Sequence, residues 1–117
     1  MRVAGFGFRK SVRLDSLLDV LRQAGGTVDA VATVAGKAPG LAELAQHLGV
    51  PLIAVTQGDL GEQIRPGSGR VKGMFGTGSV AESAALVAAG QGARLVVTRV
   101  VSADGLAVAA IAEGEGT

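Results

Sequence analysis

The chain has 117 residues, 48% of them hydrophobic and 18% charged, with a formal net charge of +1. This describes one globular domain, 1–117, too apolar for disorder and too nearly neutral for bulk attraction to nucleic acid or an anionic membrane. The absence of cysteine and the single histidine, His47, exclude thiol catalysis, a disulfide framework and thiolate or histidine-cluster metal sites, so no protein-held metal is expected; no resident cofactor is expected either.

The first residues lack a signal-peptide apolar segment and no apolar run is long enough to cross a bilayer, which predicts a soluble, cytoplasmic protein. Residues 3–8 form a short apolar run and predict a buried first strand opening into a loop at Gly7-Phe8-Arg9. Leu14, Leu17, Leu18 and Leu21 follow at helical spacing, with Ser11 as an upstream cap candidate and Gly25-Gly26 as the stop. Residues 28–34 read as a second strand. After a break at residues 36–40, Leu41, Leu44, Ala45 and Leu48 return to helical spacing and Gly49 ends that helix.

Residues 51–56 predict a third strand of the continuously apolar kind found in parallel sheets. Residues 58–78 are polar and glycine-rich, with Arg65, Arg70 and Lys72, and a loop of that length in a small domain is usually functional. A helix over 80–89 stops at Gly90. Two final strands, 95–101 and 106–112, flank Asp104-Gly105, a strong hairpin signal, and residues 113–117 read as a frayed tail. The expected fold is a single three-layer α/β domain. It has a mixed, mostly parallel sheet of about five strands, helices on both faces and a C-terminal β-hairpin.

The stretch 73–86 is the most informative. Its glycines, Gly76 and Gly78 among them, lead into a helix start at Ser79 and Val80, and Ser79 with Glu82 has the spacing of a capping box. Bare backbone followed by free helix N–H groups can hold a carboxylate or phosphate; glycines that merely permit turns would read the same. Gly5-Phe6-Gly7 after a strand suggests a dinucleotide turn. The third glycine is absent, however, because Lys10 occupies its place, and no acidic residue ends the second strand.

What remains is a set of residues at predicted strand ends: Gly5, Gly7, Arg9, Lys10, Thr33, Lys37, Ser68, Arg70 and the Ser79 helix start. Such a group suits a ligand bearing several carboxylates. Met74 and Phe75 are candidate pocket walls, whereas Phe6 or Phe8 reads as core. His47 reads as a surface residue near a helix end. No nucleophile elbow is present, and Glu82 is the first general-base candidate, in competition with its cap role.

Several of these segments together resemble the cobalamin biosynthesis proteins CobE and the C-terminal domain of CbiG. They are Gly5-Phe6-Gly7-Phe8-Arg9, Ala32-Thr33 with Lys37, Gly40-Leu41, Ser68 with Val71, Gly78-Ser79-Val80-Ala81-Glu82 with Ala84-Ala85-Leu86, and Ala110-Ile111-Ala112. The resemblance spans nearly the whole chain in order, with Ser-Val-Ala-Glu its most specific piece. Phe8 stands where the family commonly has cysteine, Arg99 where it often has lysine, and Val108 where a threonine is expected.

The resemblance implies vitamin B12 synthesis around the precorrin-5 stage, with a corrin precursor and other enzymes of the pathway as partners. In fused CbiG proteins it implies hydrolysis of a δ-lactone on cobalt-precorrin-5A with release of acetaldehyde. The leading expectation is a protein that binds the tetrapyrrole through its carboxylates. The alternatives are a lactone-opening hydrolase using Glu82 and Lys37, and a small phosphate- or nucleotide-binding domain.

Overall fold

The computed structural model describes residues 1–56 and 80–115. The first strand, β1 (Arg2–Phe8), leads to helix α1 (Leu14–Ala24), strand β2 (Ala30–Val34), a 3-10 segment (Ala35–Leu41), helix α2 (Ala42–Leu48) and strand β3 (Leu52–Val55). After residues 57–79 come helix α3 (Val80–Ala89) and strands β4 (Arg94–Val101) and β5 (Ala107–Glu113). The sheet order is β3-β2-β1-β5-β4. β1, β2 and β3 pair in parallel, while β5 is antiparallel to both β1 and β4. Four strands therefore share one direction and β5 opposes them.

Period-two alternation in β1 separates the two sides of the sheet. Ala4 and Phe6 join Leu17, Val20, Leu21, Leu41 and Leu44 under α1 and α2, together with Val31, Ala109 and Ile111 from the neighbouring strands. Val3 joins Ala84, Ala85, Ala88 and Ala89 under α3, with Ala30, Ala32 and Ala112 beside it. The expected three layers are thus formed by one amphipathic leucine helix and one alanine helix on opposite faces.

Alanine is required in α3 because its backbone lies directly on the sheet. A Cβ placed on Gly5 would come within 2.0 Å of the Ala81 carbonyl oxygen and 2.6 Å of the Ala85 nitrogen. At the other end of the helix, a Cβ on Gly114 would meet the Ala89 carbonyl oxygen at 2.5 Å. These contacts run α3 along β1 with its N-terminus toward the carboxyl end of that strand.

Local punctuation follows the sequence closely at some ends and departs from it at others. Gly25 and Gly26 have φ of 127° and 86°, and their N–H groups take up the Arg22 and Leu21 carbonyls to close α1. Gly49, at φ 70°, ends α2 in the left-handed region. Ser11 is not the cap of α1: Arg13 occupies that position without a side-chain bond, and Asp15 supplies the first-turn carboxylate. The break after β2 is an ordered 3-10 segment containing Pro39. Glu113, the first residue of the expected tail, is the last residue of β5, and the N–H groups of Gly114 and Glu115 donate to Met1 and Gln91 carbonyls.

Candidate functional site

β1, β2, β3 and β4 all end at the same side of the molecule, and the start of α3 faces that side too. Phe8 closes β1, and the exposed Arg9 and Lys10 follow it directly. Lys37, in the 3-10 segment after β2, folds back so that its Nζ donates to the Phe8 carbonyl oxygen at 2.5 Å. Its ammonium also lies 5.4 Å from the centroid of the Phe8 ring. That ring packs on Gly40, where a Cβ would come within 2.7 Å of Phe8 Cε2. The third cation of the expected set is therefore present at this edge, but it is engaged by the backbone of β1.

Arg9 is tied to the hairpin turn by its own N–H, which donates to the Leu106 carbonyl oxygen at 3.0 Å. Between this corner and the end of β4 lies a hollow of about 300 Å³ whose walls include Gly7, Arg9, Arg99, Val101, Leu106 and Val108. Among the described residues its two charged ones are both arginines. Gly7 sits under it with room limited on one side, since a Cβ there would stand 3.2 Å from Val108 Cγ2.

Two acidic groups tie the hairpin turn to α1. Asp104 accepts from the Ser16 hydroxyl, from the Ser102 hydroxyl at 2.6 Å and from the Leu106 N–H at 3.0 Å. These donors, Ser102 first and Ser16 next, hold its carboxyl down at about 2, against an ordinary value of 3.8. Asp19 accepts from the Ala103 N–H at 2.8 Å, which lowers its carboxyl below the ordinary range. Both carboxylates stay ionised at neutral pH while their oxygens are taken up by α1 and the turn.

Two residues of the expected ligand set are buried in the fold. Gly5 is buried against α3, and the missing side chain makes room for the Ala81 carbonyl. Thr33 is fully buried, and its hydroxyl donates to the Phe6 carbonyl oxygen at 2.8 Å, fastening β2 to β1. Val80 begins α3 and is exposed, whereas Glu82 in the first turn is only 5% exposed. Ser68, Gly76, Gly78, Ser79 and the pocket-wall candidates Met74 and Phe75 lie outside the described residues.

A larger hollow, about 400 Å³, opens at the opposite, amino end of β1 between Arg2, Asp29, Arg94 and Glu113. Its side-chain charges are of both signs: Glu113 bridges Arg2 at 3.0 Å and Arg94 at 3.6 Å, and Asp29 accepts the Arg2 backbone N–H at 2.8 Å. Among the described residues no group of three or more His, Cys, Asp or Glu is placed to hold a metal ion, and no helix is long and apolar enough to cross a membrane.

Fold and site together define a class: a three-layer α/β domain with a cationic carboxyl edge. Family comparison makes the assignment specific. The model for the cobalamin synthesis G C-terminus matches residues 2–112, and the chain belongs to that family.

Among solved structures, the cobalamin biosynthesis protein chiG from Agrobacterium tumefaciens str. C58 is similar at 35% identity and a TM-score of 0.72, over 98% of this chain and 99% of the other. CobE, a protein from the cobalamin (vitamin B12) biosynthetic pathway, is similar at 28% identity and a TM-score of 0.71, over 100% of this chain and 92% of the other. A cobalamin biosynthesis protein G homologue from Sulfolobus solfataricus shares the fold at 21% identity and a TM-score of 0.69, over 99% of this chain but 37% of that longer one. No curated protein sequence matches.

Proposed function

We propose that this domain binds a corrin-ring precursor around the precorrin-5 stage of cobalamin synthesis, holding it by its peripheral carboxylates and presenting it to other enzymes of the pathway. The observation that carries the proposal is the placement of Arg9, Lys10, Lys37 and Arg99 at or just beyond the carboxyl ends of β1, β2 and β4, one edge of the sheet. A corrin precursor is a broad apolar macrocycle fringed by acetate and propionate groups. Basic side chains around an edge with exposed apolar surface match that chemistry through charge-assisted hydrogen bonds. Family membership and the likeness to CobE support the pathway.

Binding is favoured over lactone hydrolysis by the state of the two catalytic candidates. Lys37 is engaged by the Phe8 carbonyl, and Glu82 is buried in the first turn of α3. The chain has neither Trp nor Tyr, so a bound tetrapyrrole dominates its absorbance. The test is a visible-absorbance titration with a carboxylate-bearing corrin precursor, run beside an assay for acetaldehyde from cobalt-precorrin-5A. A saturable spectral shift without acetaldehyde is expected. Acetaldehyde at catalytic turnover would replace the carrier reading by the hydrolase, and no spectral shift in any precursor would remove both.

A further inference from the structure

We infer that the hollow between Gly7 and the β4–β5 hairpin is a subsite for one carboxylate-bearing side arm of the ligand, with Arg9 and Arg99 as its anion-binding pair. The inference rests on the proposed corrin-binding function and specifies where and how one arm is recognised. Three properties of the hollow carry it. Its volume, about 300 Å³, is far below that of a macrocycle and fits a short chain. Among the described residues both of its charged lining residues are arginines, brought together from positions 90 apart because β5 returns between β1 and β4. The remaining wall is made by Val101, Leu106 and Val108, apolar side chains suited to a methylene stem.

The chemistry of the pair sets the selectivity. A guanidinium presents a planar fork of donors and no acceptor, so two of them receive a carboxylate and reject groups that must themselves donate. A carboxylate seated there takes charge-assisted hydrogen bonds, whereas a carboxamide offers one carbonyl oxygen and an NH2 with nothing to accept it. The hollow therefore distinguishes a free acid arm from its amide. Arg9 is held in register for this by the Arg9 N–H to Leu106 carbonyl bond, which joins one anion-binding residue to the apolar wall.

The experiment compares the wild-type chain with Arg99→Ala, Arg99→Lys and Val101→Phe, each titrated with a corrin bearing free acetate and propionate groups and with the same ring fully amidated. Arg99 and Val101 are exposed on an edge strand, so these variants keep the fold, and circular dichroism checks that they do. Expected is a loss of affinity of roughly 10- to 100-fold for the acid ring in Arg99→Ala, the size associated with hydrogen bonds to charged groups. Arg99→Lys recovers only part of it, and Val101→Phe loses affinity by filling the hollow with the charges intact. For the amidated ring the wild type and Arg99→Ala differ by no more than about twofold, because the interaction removed was never formed. Wild-type binding of the acid ring that survives unchanged in Arg99→Ala and Val101→Phe would overturn this subsite and leave corrin binding standing. Absence of wild-type binding would overturn both.

Discussion

The carbonyl oxygen of Ala81 occupies the space that a side chain on Gly5 would need, 2.0 Å from its Cβ position. The obstructing atoms belong to the backbone of α3, so they cannot move aside as a flexible side chain could. Gly5→Ala should therefore lift the N-terminal part of α3 off the sheet at a cost of about 1–3 kcal/mol or more, the range of overpacked cores. Chemical denaturation followed by circular dichroism measures this. A change below about 0.5 kcal/mol, the scale of ordinary surface substitutions, would contradict the close contact.

Thr33 offers a cleaner separation of structural from ligand roles. Its hydroxyl donates to the Phe6 carbonyl in a fully buried site. Thr33→Val keeps the shape and removes the donor, which should cost about 1 kcal/mol of stability and leave corrin affinity unchanged. Affinity lost without stability lost would place Thr33 at the ligand instead.

Acid stability should depend on Asp104. Its folded carboxyl sits at about 2, below the ordinary 3.8, so its stabilising contribution is complete above the unfolded value and disappears as pH falls through the folded one. Asp104→Asn should accordingly lower the melting temperature at pH 7, with the gap to wild type closing between about pH 4 and pH 2. A gap that stays constant across that window would show that the Ser16 and Ser102 bonds do not depend on the charge.

At the amino end of the sheet, Glu113→Gln serves as a contrast. It removes the anion between Arg2, which is partly exposed, and Arg94, which is exposed. Stability should change by no more than about 1 kcal/mol, and titration with a carboxylate-bearing corrin should give the wild-type curve. Weakened binding there would move the ligand to the larger hollow and away from Arg9 and Arg99.

The parts of this architecture that follow a strong local period are readable without coordinates. Helix α3 runs over the predicted residues 80–89, Asp104-Gly105 makes the predicted turn, and Leu17 and Leu21 of α1 are buried while Leu14 and Leu18 pack partly buried against the same core. Gly5 and Gly7 show where that legibility ends. Two positions apart on one strand they look alike, yet the first is filled by a helix and the second borders a hollow, a difference set by how α3 crosses the sheet. Thr33 had a usable signal in its parity with Val31, which places it on the α1 side. Arg99 was readable only as a cation inside an apolar strand, because nothing local reveals that β5 folds between β4 and β1 and brings that strand's end beside Arg9.

That interposed strand also joins parts of the chain that lie far apart in sequence. β1 has its β5 partner more than a hundred positions away, Arg2 facing Glu113, while β2 and β3 are close neighbours in sequence. As the chain is synthesised, one flank of β1 stays open after the β1-β2-β3 half has had every opportunity to form, and Arg9 has no hairpin to lean on. Arg9 and Arg99 therefore become neighbours only through β5, the strand that pairs with both of theirs.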